Sequence, residues 1–442
     1  MNGLDEIDAY NLEDLNAPGP GYEATGPELQ QKLRYRFSRE KENAEAIEDV
    51  YDDLADETVY LLVSGLAREK PHFPTFFRPF SLSVRKLFTE GISIQSEVQK
   101  TYRAILLDMT VDAPARAIWM SMKQFNGYYG CGKCEEPGEQ LVIGGEEGKK
   151  RQSHIYPFNN DSNNLSGHAR VRTHQEMKNN ALMSISNQES GMSKYSVKGL
   201  LGLSWAFSLP LFDIVKGTAV DYMHCICEGV IEQHFNKWFG VGDNSIFPCH
   251  IGKQLQEIDV EILQVKPTSE ITRKPRKMSD WHDWKASEKR AFLLYYSVPL
   301  LMGRLPEEYL NHYNLLVGAI FRLLKSSITP VNLQQASLYL KLYCAQASGL
   351  YGERFQTYNF HQLLHLADNV QQLGPLWAHS CFPFEDYNGD LKDLFHGSQN
   401  IPGQIIQSVS ILQKIPEVAA RAVESEQVKR LFDDLTNRSH CW

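Results

Sequence analysis

The chain has 442 residues, 42% hydrophobic and 22% charged, with a net charge of −9, values of an ordinary globular protein with apolar material for two or three cores. No apolar run is long enough to cross a bilayer and the acidic N-terminus does not resemble a signal peptide, so we expect no membrane partner. Eight irregularly spaced cysteines without a secretory signal predict free thiols in a reducing compartment, not a disulfide framework.

The negative charge is concentrated in residues 1–57. This stretch holds 16 acidic and 5 basic residues, a net charge of −11, which leaves +2 for residues 58–442. Residues 1–26 are rich in Asn, Gly, Pro and acids without periodicity, and residues 27–57 predict a highly charged helix with little apolar face. We therefore expect residues 1–57 to form an acidic, partly disordered N-terminal arm.

The basic residues of the remaining chain form two clusters. One is Lys149–Arg151, and the other runs from Lys266 to Arg290. Either cluster could bind phosphate groups. A solvated surface loop is an equally good interpretation of each.

Residues 104–124 predict a strand followed by a helix. Ala104–Val111 is rich in Ile, Leu, Met and Val and has the length of a buried strand. Asp112 would end that strand, and Pro114 would open a helix that continues to Gln124. A carboxylate held at a strand end is well placed to bind a divalent cation.

Two cysteines after this helix have the spacing of a metal-binding knuckle. Cys131 and Cys134 are separated by two residues, as in structural zinc sites. Gly132 between them is expected to permit the tight turn that points both thiolates at one ion. The knuckle is therefore predicted to supply half of a metal site.

Two histidines far along the chain could supply the other half. His361 and His365 are four residues apart on a helix predicted over Asn359–Leu373, so both imidazoles project from one face. With the cysteines they would complete a closed, structural site with tetrahedral geometry. Two histidines on a helix are more often ordinary surface or core residues, and the knuckle is what favours the metal.

The rest of the chain predicts loops and then helices. Residues 136–200 lack periodicity and are rich in Asn, Ser, Gly and Gln, as loops are. Helices are predicted over Phe76–Gly91, within Trp281–Gly352 with a start at Thr329–Pro330, over Asn359–Leu373 with a stop at Gly374–Pro375, over Phe382–Phe395 and over Gln404–Val423.

Further side chains could take part in chemistry. Glu385 lies in the first turn of its predicted helix, where a carboxylate usually complements the helix dipole, or it is a second metal-binding acid facing Asp112. Asp221 and His224 could also bind a metal, although a buried structural pair is the preferred interpretation. The remaining cysteines are interpreted as packing or surface thiols: Cys225, Cys227, Cys249, Cys344, Cys381 and Cys441.

Four stretches of the sequence are distinctive when taken together: DAPARAIWMSMKQFNGYYGCGKC (112–134), VDYMHCICEGV (220–230), WKASEKRAFLLYYSVPLL (284–301) and CFPFEDYNGDLKDLFHG (381–397). In combination they resemble transposases of the CACTA type, the En/Spm group within the CACTA–Mirage–Chapaev superfamily. The resemblance covers about residues 63–406. It implies an α/β, predominantly helical protein with an RNase H-like core that a large helical insertion interrupts. In that family three acids hold two divalent cations for DNA cleavage and strand transfer.

The resemblance also assigns roles to individual residues. Asp112 corresponds to the second acid and Glu385 to the third. The ligands of a zinc site arranged as in the V(D)J recombinase correspond to Cys131, Cys134, His361 and His365. Structural Zn²⁺ is therefore expected, with Mg²⁺ or Mn²⁺ if the protein is catalytically active. Transposon-end DNA, self-association and the nucleus are the partners and location that the resemblance implies.

One part of the family pattern is missing. Tyr51–Asp53 resembles a motif that precedes the first acid, and Lys70–Pro71 resembles one that follows it. The block between them, with the first strands and that acid, is absent, and the junction falls within residues 54–62. The RNase H-like core is therefore expected to be incomplete.

These observations predict an organisation and a function. We expect the arm over 1–57, the first part of the core over 58–135, the helical insertion over 136–380 and the C-terminal core helices over 381–442. The preferred function is an inactive, transposable-element-derived protein; the alternatives are an active DNA nuclease using Asp112 and Glu385, or a domesticated DNA- or protein-binding module. A zinc hydrolase is excluded because a four-ligand site leaves no position for water.

Overall fold

A computed structural model describes residues 73–94, 100–143, 151–160 and 166–422, with residues 427 and 430. Several predictions lie outside the described residues: the acidic arm over 1–57, the motifs at Tyr51–Asp53 and Lys70–Pro71, the junction in 54–62, Lys149, Lys150 and Cys441. In the described part the protein is predominantly helical, as the sequence predicted, and its strands form two short hairpins.

The helices and strands have the following bounds. The α-helices are α1 (Phe73–Thr89), α2 (Ala113–Trp119), α3 (His174–Glu189), α4 (Ile231–Phe239), α5 (Leu255–Ile262), α6 (Ala286–Ala291), α7 (Ser297–Leu301), α8 (Glu307–Leu323), α9 (Pro330–Tyr351), α10 (Tyr358–Gln362), α11 (Leu366–Leu373), α12 (Phe382–Asp393) and α13 (Ile401–Ala422). The antiparallel hairpins are β1 (Ile92–Ile94) with β2 (Lys100–Tyr102), and β3 (Glu139–Ile143) with β4 (Arg151–Ile155).

The described chain divides into two compact units. Residues 105–381 belong to the first, which we call the central unit. The described residues before 105 and after 381 belong to the second, the terminal unit, with α1, α12 and α13. The RNase H-like core and the predicted domain boundaries stay predictions.

Helix α9 illustrates why the predicted helices begin and end where they do. The Thr329 side chain accepts a hydrogen bond from the Asn332 backbone N–H at 3.2 Å, and Pro330 follows at the first helical position. Gly352 ends the helix with a φ of 83°, a conformation that favours glycine. The start predicted at Thr329–Pro330 is confirmed.

The strand predicted over Ala104–Val111 is reduced to one parallel bridge between Met109 and Thr218. The Met109 N–H donates to the Gly217 carbonyl and the Ala219 N–H donates to the Met109 carbonyl, both at 2.8 Å. Residues 103–108 form no strand because no described segment provides a continuous ladder beside them.

Helix α2 ends at Trp119, earlier than the sequence predicted. Ser121, with a φ of 51°, leaves the helical path, and its carbonyl accepts from the Leu201 N–H at 2.8 Å. The Lys123 N–H donates to the Gly199 carbonyl, also at 2.8 Å. Pairing with a distant segment therefore replaces the last turns of the predicted helix.

The loops predicted over residues 136–200 contain regular structure. The β3–β4 hairpin and the sixteen-residue helix α3 both lie there. Helix α3 buries only Met177, Ala181 and Ser184, and two of these side chains are small. The helix therefore lacks the apolar stripe by which amphipathic helices are recognised.

Two neutral histidines lie in the core of the central unit. His312 Nε2 is 2.8 Å from the Tyr343 carbonyl, and His234 Nε2 is 2.6 Å from the Tyr343 hydroxyl. Burial lowers the pKa of His312 from 6.5 to about 4, and burial also holds the pKa of His234 well below its usual range. Both imidazoles are therefore neutral in the folded protein at neutral pH.

We predict that acid destabilises the protein through His312. The unfolded chain binds a proton at this residue below about pH 6.5 while the folded protein resists it until about pH 4, so stability is lost as the pH falls between these values. Between pH 7 and pH 5 this residue should remove about 2 kcal/mol from the free energy of unfolding.

Denaturant unfolding at the two pH values, with wild type and His312→Gln compared, measures this contribution. The loss of stability between pH 7 and pH 5 should be smaller in the variant by that amount. An equal loss in both proteins would contradict the prediction. An exposed histidine, His282→Gln, is the matched control and should behave as wild type.

Candidate metal centre

The structure brings together the four residues that the sequence singled out as metal ligands. Cys131 and Cys134 lie in the loop after α2, His361 lies in α10, and His365 ends the single 3₁₀ turn (Leu363–His365) between α10 and α11. One ligand atom from each lies within 4.8 Å of the other three, and all four residues are buried. This cluster could hold a metal ion such as zinc.

The distances within the cluster fit a tetrahedral ion. Cys131 Sγ is 3.6 Å from His365 Nε2, Cys134 Sγ is 3.3 Å from His361 Nε2, and the two Nε2 atoms are 3.3 Å apart. Metal–sulfur bonds of about 2.3 Å and metal–nitrogen bonds of about 2.0–2.1 Å at tetrahedral angles give sulfur–nitrogen edges of roughly 3.5 Å and nitrogen–nitrogen edges of roughly 3.3 Å. The three observed distances therefore match the edges of a tetrahedral site.

The protonation of Cys131 and His365 suits metal binding, whereas burial raises the pKa of the Cys134 thiol well above its usual range. Burial acts to raise the pKa of the Cys131 thiol, but a hydrogen bond with Cys134 and the neighbouring imidazoles outweigh it and hold that pKa well below its usual range. Burial lowers the pKa of His365 to about 4. A thiolate beside a neutral imidazole is the form in which both residues bind metals.

Arg172 holds the cysteine loop in place, and no sequence pattern indicated this role. Its Nε donates to the Cys131 and Cys134 carbonyls, each at 2.9 Å, and its Nη2 donates to the Tyr129 and Lys198 carbonyls at 3.2 and 2.9 Å. The side chain is buried, so its positive charge lies close to the Cys131 thiolate. One guanidinium thus fixes the backbone of both cysteines.

Aromatic rings enclose the cluster. The Tyr156 ring stacks on His361 with centroids 5.2 Å apart, and the His168 ring lies 4.5 Å from His365. Tyr358 packs against the cysteines and accepts a hydrogen bond from Arg116 at 2.6 Å. These rings exclude water from the cluster and fix both histidine side chains.

Close packing, and not the expected tight turn, explains why residue 132 is a glycine. Its φ is not among the positive values that demand glycine. A Cβ at this position would instead lie 2.6 Å from the Met120 sulfur, closer than real contacts allow. Gly132 therefore permits close packing of the knuckle on Met120, and the turn itself does not require it.

Asp112 caps a helix. It is the N-cap of α2, and its Oδ1 accepts a hydrogen bond from the Ala115 N–H at 2.7 Å. The helix begins at Ala113, so Pro114 occupies the second helical position rather than the predicted first. The cap uses Oδ1, so Oδ2 stays available to another ligand.

Glu385 lies in the first turn of α12 and is exposed. Asp112 belongs to the central unit and Glu385 to the terminal unit. Because the two carboxylates belong to different units, the predicted cleft between them stays a prediction.

Asp221, His224 and Cys381 form a second cluster whose ligand atoms lie within 4.8 Å of one another. Asp221 Oδ1 accepts from the Met223 and Cys381 N–H groups at 3.2 and 2.8 Å. Oδ2 accepts from the His224 N–H at 3.0 Å and lies 2.6 Å from His224 Nδ1, an interaction that raises the pKa of His224. With its acceptor positions occupied, the carboxylate is better suited to anchoring the chain than to binding a metal.

Comparison of the sequence with protein-family models and with curated proteins gives no match. Of the helices in the described part of the chain, none combines the length and apolar character that crossing a bilayer requires. The geometry of the clusters and the sequence pattern are therefore the basis for inferring a function.

We predict that Arg172→Gln destabilises the protein by about 3 kcal/mol, because two buried and two partly buried carbonyls lose a charged donor. Metal affinity should fall with it, since the loop that carries both cysteines loses its support. Arg170→Gln is the matched control, because Arg170 is exposed and forms only surface ion pairs with Glu135 and Glu176. Thermal unfolding and metal content measure the two effects, and equal stability of the two variants would contradict this role.

Proposed function

We propose that this chain is a transposase-derived, zinc-stabilised protein that binds DNA and does not itself cut or join it. The convergence of Cys131 and Cys134 with His361 and His365 is the observation that carries the proposal. Cys134 and His361 are 227 residues apart in the sequence, and Cys131 and His365 are 234 residues apart. They follow the order of acid, cysteine knuckle, helical insertion, histidine pair and acid of the CACTA transposases.

Zinc is the metal that this ligand set favours. Two sulfurs and two imidazole nitrogens in tetrahedral arrangement are typical of zinc. A site with four protein ligands has no open position for water, so its role is structural. The ion would stabilise the fold by linking the loop after α2 to α10 and the turn that follows it.

The absence of DNA cleavage follows from the number and placement of acids. Two-metal phosphoryl transfer needs carboxylates that hold both ions beside the scissile phosphate. Asp112 already uses one oxygen as a helix cap, and the family's first acid has no counterpart in this sequence. Asp112 and Glu385 alone would leave one ion without a bridging ligand.

We predict one zinc ion per chain in the purified protein, and its loss in Cys131→Ser. Because metal binding here contributes to the free energy of folding, this variant should lose at least about 5 kcal/mol of stability. Cys344→Ala is the matched control: Cys344 is a buried thiol outside the cluster, so the variant should keep its zinc and lose only about 1 kcal/mol. Elemental analysis and denaturant unfolding give both quantities.

A wild-type protein that folds without bound metal would overturn the zinc assignment. So would a Cys131→Ser variant that retains a full complement of zinc. Addition of a chelator to wild type should reproduce the stability of the variant, because both treatments remove the same ion.

We predict that the protein does not nick or join supercoiled DNA in the presence of Mg²⁺ or Mn²⁺. Wild type and Asp112→Asn should be indistinguishable in a cleavage and strand-transfer assay. Asparagine retains the capping ability of aspartate, so this variant removes the charge without removing the cap. Metal-dependent nicking by wild type that disappears in Asp112→Asn would instead establish the alternative function, an active nuclease.

A further inference from the structure

The segment 263–277, which joins α5 to the next helical turn, carries a concentrated positive charge. It contains five cationic side chains and one acid, a net charge of +4 in a chain whose overall net charge is −9. The cations are Lys266, Arg273, Lys274, Arg276 and Lys277, and the acid is Glu270. A local charge of this size attracts polyanions even where the whole protein is acidic.

Some of the basic residues predicted to form this cluster have structural roles. Arg276 binds both carboxylate oxygens of Glu288, at 2.6 and 2.8 Å. Lys289 pairs with Glu232 at 2.8 Å, with its own side chain buried. The positive charges of these two residues are therefore neutralised by carboxylates of the same chain.

Lys266 and Lys274 differ from those residues. Both are exposed, and neither forms a hydrogen bond or ion pair with another residue in the described part of the chain. Together they line one surface groove of about 560 Å³. The remaining lining consists of Leu263, Val265, Pro267, Thr268, Ile271, Thr272 and Pro275.

Three acids close to the two lysines in sequence do not pair with them. On α5, Glu261 pairs with Arg304 at 2.6 Å and Asp259 accepts hydrogen bonds from Ser279. The acid within the segment, Glu270, is exposed and does not line the groove. The groove is therefore lined by two threonines and by two lysines that have no ion pair in the described part of the chain.

We propose that this groove binds the phosphodiester backbone of a nucleic acid. Lys266 and Lys274 supply the charge, and Thr268 and Thr272 supply hydroxyl donors to phosphate oxygens. An ammonium group recognises phosphate as a point charge, so these contacts select for charge and not for base sequence. The inference deepens the proposed function and rests on it, because it assigns part of the DNA-binding surface.

The test is the salt dependence of DNA binding by the full-length, zinc-loaded protein. Fluorescence anisotropy with a short labelled DNA duplex gives the association constant over a range of about 0.05–0.3 M salt. The double variant Lys266→Gln/Lys274→Gln should show a slope of log K against log salt that is shallower by about 1.8, because each phosphate contact contributes about 0.9. At 0.1 M salt, binding should weaken roughly 10- to 100-fold, and equally for duplexes of unrelated sequence.

Two matched variants separate the effect of the groove on DNA binding from the effect of net charge. Lys194→Gln/Lys325→Gln removes the same charge from two exposed lysines outside the groove lining and should leave the slope as in wild type. Lys266→Arg/Lys274→Arg keeps the charge in the groove and should retain the wild-type slope. Thermal unfolding of each variant should match wild type, because the substituted side chains are exposed.

The outcomes separate this inference from the proposed function. Wild type that binds DNA, with equal slopes for the groove variant and the Lys194→Gln/Lys325→Gln control, would overturn the groove and leave the DNA-binding function in place. Zinc-loaded wild type that binds no DNA would overturn the function and the groove together. A shallower slope in the groove variant alone supports both.

Discussion

The central unit depends on the convergence of two thiols and two imidazoles in a buried space. Burial removes the solvation of these four groups, whose closest ligand atoms lie 3.3–3.6 Å apart, and a shared positive partner would offset that loss. A metal ion could supply that partner, and the buried guanidinium of Arg172 donates to the carbonyls of both cysteines. The aromatic rings around the cluster then keep water out. The cluster thereby joins parts of the chain separated by more than 200 residues.

The candidate ligands could be predicted from the sequence because their chemistry leaves a pattern. A two-residue separation of cysteines and a four-residue separation of histidines each follow from the geometry of one ion and one helix face. Pairing the two halves required the resemblance to transposases as well. Arg172 left no such pattern, because a single arginine in a loop looks the same whether it is buried or solvated.

The helices were predicted well where an apolar stripe or a cap was present and poorly where tertiary pairing decides. Thr329 and Pro330 determine where α9 starts, and both are local signals. The early end of α2 is not local, because backbone bonds to Gly199 and Leu201 cause it. The apolar run at Ala104–Val111 has the composition of a buried strand, but composition does not supply the neighbouring strands that a ladder needs.

X-ray absorption at the zinc K-edge of the purified protein shows whether the cluster binds zinc and through which atoms. We expect a zinc signal with a first shell of two sulfurs at about 2.3 Å and two nitrogens at about 2.0–2.1 Å. A shell of oxygen and nitrogen alone, or a protein that folds with no zinc signal, would contradict it.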